Sequence, residues 1–173
     1  MYERILITGG AGFVGSSLAL HLKTIFPETD ILALDNLHRR GSELNLPRLA
    51  RAGVGFVHGD IRSPEDLAAL PVPGLIIEAS AEPSAQAGYG GSPEYLIQTN
   101  LNGCFHCLEL ARRHHADFLF ISTSRVYPVT RLNALPWREE ETRFTWAGRE
   151  GISEDFPLDG PRSLYGMTKL AAE

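Results

Sequence analysis

The fold class predicted from the sequence is α/β: a doubly wound parallel sheet with helices on both faces. Five short apolar runs, each suited to one buried strand, alternate with segments in which apolar residues have helical spacing. The predicted strands are residues 4–8, 31–34, 54–57, 75–77 and 118–121. Strands that alternate with helices are joined by right-handed crossovers, which produce a parallel sheet covered on both sides.

Four helices are predicted between and after these strands. The first spans residues 12–25, with Val14, Leu18 and Leu22 on one face. The second begins at Ser63, and the third runs from Ser92 to about residue 114. The polar stretch after the second strand is expected to be a loop. Residues 127–162 show no lasting apolar period and are expected to be irregular or to contain short elements, before a last helix from residue 163.

Composition and charge exclude several classes of protein. The net charge of −5 argues against nucleic acid or an anionic membrane as partner. No apolar run approaches the roughly 20 residues that span a bilayer, and the N-terminus lacks signal-peptide features, so a cytoplasmic protein is expected. Cys104 and Cys107 form a C-x-x-C inside a predicted helix without a second pair of metal ligands. They are predicted to be core residues, and no metal site is predicted.

A glycine-rich loop follows the first predicted strand and opens the first predicted helix. From Gly9 to Gly15 its spacing is G-x-x-G-x-x-G. Glycines let a backbone turn and approach a pyrophosphate, which sits at the helix N-terminus. Asp35 ends the second strand, 20 residues after Gly15. A carboxylate there binds ribose hydroxyls and repels a 2′-phosphate, which favours NAD over NADP.

Some observations leave alternatives open at this predicted cofactor site. Arg39 and Arg40 lie close to Asp35 and count against the preference for NAD. Asp60 and Ile61 follow the third strand, where they are expected to contact adenine. Asp35 and Asp60 each have a structural alternative as turn or cap residues.

Tyr165 and Lys169 form a Y-x-x-x-K pattern in the last predicted helix. The i, i+4 spacing places both side chains on one face. A free tyrosine, with a pKa near 10, is a poor base at neutral pH, and an adjacent lysine ammonium favours its phenolate. The pattern is common by chance, but together with the glycine loop it indicates proton transfer beside a bound dinucleotide.

These motifs resemble those of the extended short-chain dehydrogenase/reductase family, which contains sugar-nucleotide epimerases, dehydratases and reductases. The resemblance covers the whole chain, from T-G-G-A-G-F-V-G-S through L-D-N-L, H-G-D-I-R, T-N-L-N-G and I-S-T-S-R-V-Y to S-L-Y-G-M-T-K. It implies a Rossmann-like fold and a catalytic set of Thr123, Tyr165 and Lys169, in which Ser122 and Ser124 flank the threonine. The residues that it places at the NAD site are Gly9, Gly12, Phe13, Val14, Gly15, Asp35, Asn36, Asp60, Ile61, Ala79, Ala81, Asn100, Tyr165 and Lys169.

Within that family, the chain shows closer similarity to the CDP-paratose (tyvelose) 2-epimerases than to the 4,6-dehydratases. The 4,6-dehydratases carry Thr-Asp-Glu where this chain has Thr123-Ser124-Arg125, so dehydration is disfavoured. The similarity also includes a long insert with residues 139–144, followed by residues 156–158. Pro128 and the run from Glu78 to Ala81 depart from the family pattern, which leaves the substrate open. A 4-epimerase, a keto-sugar reductase and a non-catalytic NAD(H)-binding protein remain alternatives.

The resemblance also implies a mechanism, a partner and a domain boundary. A nucleotide-diphosphate sugar is oxidised to a keto-sugar and reduced again on its other face. Residues 1–173 are expected to be the NAD-binding domain of a longer enzyme, without the last strands and the substrate domain. A homodimer is expected through the helix from Ser92 and the Tyr165 helix. Residues 118–121 are then expected to form an unprotected sheet edge, so that the isolated chain self-associates and lacks epimerase activity.

Overall fold

Five parallel strands form the main sheet in the computed structural model, which describes residues 2–146 and 151–173. The strands are β1 (Arg4–Thr8), β2 (Asp30–Asp35), β3 (Gly55–His58), β4 (Leu75–Glu78) and β5 (Asp117–Phe120). Their order is β3-β2-β1-β4-β5, and each neighbouring pair is parallel. The chain therefore winds outward from β1 in both directions, and the doubly wound sheet predicted from the sequence is confirmed.

Helices connect the strands and follow the last of them. They are α1 (Phe13–Ile25), α2 (Leu46–Arg51), α3 (Pro64–Ala68), α4 (Glu94–Ile97), α5 (Cys104–His114), α6 (Val129–Asn133) and α7 (Leu164–Ala172). The helix predicted from Ser92 is α4 and α5, which π-helical turns over Gln98–Gly103 join into one element. A π-helical turn inside a helix often marks a functional site.

The prediction of a loop after β2 is wrong in part, because this segment contains α2. A 3₁₀ turn over Ser42–Asn45 leads into this helix. Pro47 stands in its first turn, and Leu49 is fully buried against the sheet. Leu46, one turn earlier, packs against the same core. A helix of six residues is less than two turns long, which is too short for an apolar period to show in the sequence.

Each face of the sheet has its own core, since successive strand residues point to opposite sides. On one face Leu6 and Ile76 pack with Cys107 and Leu110 of α5. On the other face Ile7 and its neighbours pack under α1 and α2. Cys104 and Cys107 are buried and unbridged, so their prediction as core residues is confirmed.

The predicted apolar face of α1 needs one correction. Val14 was expected to lie on that face with Leu18 and Leu22, but it is 46% exposed. Leu18 and Leu22 do pack against the core. At the start of α1 the buried residues are Gly15 and Ser16, because the backbone itself approaches the sheet there.

Short elements lie in the stretch after Tyr127 that had no apolar period. Besides α6, it contains an antiparallel hairpin of β6 (Trp137–Glu139) and β7 (Phe144–Trp146). The rings of Trp137 and Phe144 meet edge to face at 5.3 Å, although both are exposed. Three-residue strands that bury no apolar face leave no alternation in the sequence. Among the described residues, no helix has the length and apolar character needed to cross a membrane.

The free side of β5 generates a prediction about association. Within the described residues β5 pairs only with β4, and Leu119 at its centre is 45% exposed. An apolar edge strand is a template for pairing with another chain. We expect the 173-residue chain to self-associate, and Leu119→Lys to shift its sedimentation towards that of the 19.0 kDa monomer.

The matched control is Val72→Lys, which adds the same charge at a residue that is 56% exposed and outside the sheet. Sedimentation equilibrium of the three proteins decides the question. A wild-type chain that is already monomeric, or an equal response to both lysines, contradicts the prediction.

Candidate functional site

A cavity of about 430 Å³ lies at the carboxyl ends of β1, β2, β3 and β4. It includes the point between β1 and β4 where the winding of the sheet reverses, which is where open α/β sheets bind ligands. Eleven of the residues predicted to bind the cofactor line it: Gly9, Gly12, Phe13, Val14, Gly15, Asp35, Asn36, Asp60, Ile61, Ala79 and Ala81.

The glycine loop forms the floor of this cavity by close backbone packing. Gly9 has φ +62°, and a Cβ on it would lie 2.8 Å from the carbonyl oxygen of Ala79. A Cβ on Gly15 would overlap the carbonyl oxygen of Gly9. The N–H of Gly12 donates to that same oxygen at 3.0 Å and closes the turn. Only glycine fits at Gly9 and Gly15, so the first turn of α1 stands open to the cavity.

The opened end of α1 is suited to an anion. Phe13 and Val14, its first two residues, are 87% and 46% exposed and line the cavity. The N–H groups of a first helical turn have no partner within the helix, and the helix dipole is positive there. A pyrophosphate bridging two nucleosides has the charge and acceptors that this end requires.

Asp35 stands at the wall of the cavity with a fixed carboxylate. Its Oδ2 accepts from the N–H of Ala11 at 3.1 Å, and its Oδ1 accepts from the N–H of Leu37 at 2.8 Å. The second bond supports Leu37 in the left-handed region, at φ 52°. The turn-cap role is therefore present, and it leaves each oxygen a further lone pair for a hydroxyl donor.

Asp60 is held in place from two sides. The amide of Asn36 donates to its Oδ2 at 2.9 Å, and Arg62 forms an ion pair with it at 2.6 Å. Partial burial opposes ionisation of Asp60, but the hydrogen bonds from Arg62 and Asn36 prevail and lower its pKa to about 2. Asp60 therefore stays ionised and orders this side of the cavity.

An aromatic cluster at the same side was not predicted from the sequence. His38 stacks on Tyr95 with ring centroids 4.4 Å apart, and the guanidinium of Arg62 lies 4.8 Å from the centroid of the Tyr95 ring. His38 and Tyr95 line the cavity. They are 57 positions apart in the chain and belong to no motif, so no sequence signal pairs them.

The predicted catalytic helix, α7, begins with a serine cap. The hydroxyl of Ser163 accepts from the N–H of Gly166 at 3.0 Å. Gly166 packs so closely on the backbone of Arg125 that a Cβ would overlap the Arg125 carbonyl oxygen. This contact turns Tyr165 and Lys169 inward, where they are 9% and 2% exposed.

Lys169 reaches across to the carboxyl ends of β4 and β5. Its Nζ donates to the carbonyl oxygen of Ile121 at 2.9 Å and lies 4.3 Å from the centroid of the Phe120 ring. The same Nζ is 3.7 Å from Oε2 of Glu78, the last residue of β4. Burial raises the pKa of the Glu78 carboxyl to about 7, against the attraction of the Lys169 ammonium.

The position of Glu78 corrects one interpretation of the sequence. From the sequence, the departure from the family pattern at Glu78 puts the substrate in doubt and not the cofactor. Its side chain is instead 1% exposed and lies beneath Lys169, while Ala79, Ser80 and Ala81 continue along the cavity. Residues at the end of a strand alternate in direction, so neighbours in this run meet different surroundings.

Asn100 lies in the π-helical turns and joins the cavity wall to α7. Its side-chain oxygen accepts from the N–H of Glu82 at 2.8 Å. Its amide donates to the hydroxyl of Thr168 at 3.1 Å, and that hydroxyl donates to the carbonyl oxygen of Tyr165 at 2.8 Å. Asn100 does not line the cavity. Its place in cofactor binding stays a prediction.

Thr123 caps the short turn that follows β5. Its hydroxyl accepts from the N–H of Arg125 at 3.2 Å and keeps its own proton to donate. The flanking Ser122 instead donates to Glu173, and Ser124 is exposed. Thr123, Tyr165 and Lys169 lie outside the lining of the main cavity. Like the cavity, they lie on the side of the sheet where the strands have their carboxyl ends.

Comparisons with known proteins agree with this geometry. Residues 5–173 match the family described as NAD dependent epimerase/dehydratase. The chain is 33% identical to the CDP-paratose 2-epimerase of Salmonella typhi, over 98% of this chain and 51% of the relative. It is 31% identical to a dTDP-glucose 4,6-dehydratase of Mycobacterium tuberculosis, over 98% of this chain and 46% of the relative. The chain thus spans about half the length of these curated relatives.

Solved structures show the same fold. Pal from Bacillus thuringiensis superposes with a TM-score of 0.74 at 25% identity, over 98% of this chain and 49% of that one. The UDP-glucose-4-epimerase of Stenotrophomonas maltophila, solved with bound NAD, has a TM-score of 0.74 at 21% identity, over 98% and 46%. The predicted Rossmann-like fold and the predicted family are both confirmed, as is NAD as the family's cofactor. This chain belongs to the NAD dependent epimerase/dehydratase family.

Proposed function

We propose that the protein carrying this chain epimerises a nucleotide-diphosphate sugar, of the kind used by CDP-paratose 2-epimerases, by transient oxidation to a keto-sugar. The observation that supports this most is the joint placement of Tyr165 and Lys169. Both are buried on one face of α7, and Lys169 is anchored at the strand ends beside a cavity suited to a dinucleotide. NAD, when bound, supplies a hydride acceptor that later returns the hydride.

Tyr165, Thr123 and Lys169 have separate roles in this reaction. Tyr165 takes the proton of the sugar hydroxyl as the C–H bond is oxidised, and returns it when the ketone is reduced on its other face. Thr123 donates a hydrogen bond to the sugar oxygen. Lys169 holds the nicotinamide ribose and favours the phenolate of Tyr165.

At the other end of the cofactor, Asp35 binds the adenosine ribose and the start of α1 binds the pyrophosphate. Asn36, Asp60 and Ile61 border the adenine. Ala79 and Ala81 lie along the cavity on the way to the nicotinamide.

Dehydration is the competing reaction, because 4,6-dehydratases are among the relatives. Elimination of water needs an acid and a base beyond the tyrosine. Ser124 and Arg125 occupy the two positions after Thr123. Both are exposed, and neither side chain has a carboxylate that could serve as the acid or the base. This favours epimerisation.

Product analysis tests the reaction directly. In a protein that extends this chain to the length of its relatives, CDP- and UDP-sugars are supplied separately and the products identified by NMR. The proposal predicts a 2-epimer from a CDP-sugar without net consumption of NAD⁺. A dehydrated product, a 4-epimer from a UDP-sugar, or bound NAD without turnover each contradicts it.

A dimer interface is proposed on the outer face of α5. Phe105 and Leu108 are 63% and 41% exposed there. Apolar side chains three positions apart on a helix form one stripe, which a second copy of the helix can cover. We therefore expect the whole enzyme to be a homodimer.

Cofactor choice follows from Asp35. We expect the 173-residue chain to bind NAD⁺ more tightly than NADP⁺. Asp35→Ala should reduce the ratio of the two dissociation constants by a factor on the order of ten, since it removes bonds to the ribose hydroxyls. Asp30→Ala is the control, because Asp30 lies at the opposite end of β2 in an ion pair with Arg4. Calorimetry measures both affinities. Equal affinities in the unmutated chain overturn the assignment.

The proton transfer follows from Tyr165. In the extended protein, Tyr165→Phe should lower kcat by at least about 100-fold while NAD⁺ affinity stays nearly constant, since only the acid–base hydroxyl is lost. Tyr89→Phe removes the same group from a side chain that is 60% exposed and should have no effect. A Tyr165→Phe variant with more than roughly a tenth of the wild-type rate identifies another base.

A further inference from the structure

Glu78 is a buried carboxylate that the proposed reaction does not use. Its side chain is 1% exposed, and its Oε2 has no hydrogen-bond partner. Its Oε1 receives a long hydrogen bond from Thr8, at 3.5 Å, and hydrogen bonding from the backbone of Ser80 and from Thr8 opposes the rise in the pKa of the carboxyl that burial causes. The ammonium of Lys169, 3.7 Å from Oε2, is the cation that faces it. An ionised carboxylate so poor in hydrogen bonds is tolerated in a protein core only when an opposite charge accompanies it.

The other titratable groups around Glu78 are neutral. Cys104 and Cys107 of α5 face it, and burial followed by the Glu78 charge raises the pKa of both thiols, to about 12 for Cys104. β1 presents the hydroxyl of Thr8, and β5 presents the ring of Phe120 to the same lysine. Within the described part of the chain, the charge of Glu78 is therefore set against that of Lys169 alone.

The three N–H donors of the Lys169 ammonium have different partners. One donates to the carbonyl oxygen of Ile121, and a second is directed by attraction towards Glu78. A third remains for the nicotinamide ribose. With both side chains ionised the pair has no net charge. Without the Glu78 charge, the same place carries one uncompensated positive charge.

We propose that Glu78 is a positioning residue that acts through Lys169: it holds the ammonium at the ends of β4 and β5 and offsets its charge, so that the site favours the oxidised cofactor. The nicotinamide ring is cationic in NAD⁺ and neutral in NADH. An uncompensated ammonium beside it therefore weakens NAD⁺ binding and leaves NADH binding nearly unchanged. This inference rests on the proposed placement of the nicotinamide ribose at Lys169.

The test measures the dissociation constants of NAD⁺ and NADH for the 173-residue chain and its variants. Glu78→Gln keeps the size of the side chain and removes its charge. At a pH well above 7, where Glu78 is ionised, we expect it to shift the ratio of the two constants by a factor on the order of ten towards NADH. The control is Glu3→Gln. Glu3 is exposed and lies just before β1, at the amino end of that strand, so its substitution should leave the ratio unchanged.

A double-variant cycle separates action through Lys169 from a merely structural role. In a Lys169→Met chain, Glu78 has lost its counter-ion and takes up a proton, so Glu78→Gln should then leave the ratio unaltered. Lowering the pH gives an independent reading in the unmutated chain. Protonation of Glu78 below about pH 7 should move its ratio towards NADH, whereas the Glu78→Gln chain should not respond.

The outcomes separate this inference from the proposed function. Both nucleotides bound with a ratio that neither Glu78→Gln nor pH alters would overturn the role of Glu78 and leave the NAD site standing. An equal shift in the presence and absence of Lys169 would show that Glu78 acts without the lysine. Binding of neither nucleotide by the unmutated chain would overturn both. If Glu78→Gln does not fold, the pH dependence of the unmutated chain decides alone.

Discussion

The close approach of three backbone segments at the turn after β1 is the constraint on which the site depends. Gly9, at φ +62°, lies against the carbonyl of Ala79, and Gly15 lies against the carbonyl of Gly9. The end of β1, the start of α1 and the segment after β4 therefore meet without room for a side chain. This contact opens the first turn of α1 to the cavity and brings Ala79 and Ala81 to its wall. It also fixes the end of β4, where Glu78 meets Lys169.

Two polar connections join the cavity to α7. The first runs through Asn100, which bonds to the backbone of Glu82 on the cavity side and to Thr168 on the helix side. The second is the pairing of Lys169 with the strand ends. Both connections are buried, where hydrogen bonds and charges are costly to leave unpaired. The cavity wall and Tyr165 are thus held in fixed positions relative to each other, although Tyr165 lies outside the cavity lining.

The sequence predicts the parts that rest on local chemistry. The strand–glycine–helix unit and the helix that begins at Ser63 follow from residue types at short spacing, and the structure places them where they were expected. What it could not predict depends on contacts distant in the chain. Glu78 appears as a departure from a pattern, and only packing of β4 against α7 shows that it faces Lys169. The six-residue α2 and the three-residue strands of the hairpin are too short to leave a periodic signal.

In the proposed binding mode, one extended dinucleotide connects the glycine loop to the α7 side chains. A crystal structure of the chain with NAD⁺ tests this most directly. We expect the adenosine ribose hydroxyls on the carboxylate of Asp35 and the pyrophosphate at the start of α1. We also expect a hydroxyl of the nicotinamide ribose within hydrogen-bonding distance of Nζ of Lys169. A nicotinamide directed away from α7, or a nucleotide bound outside this cavity, would contradict it.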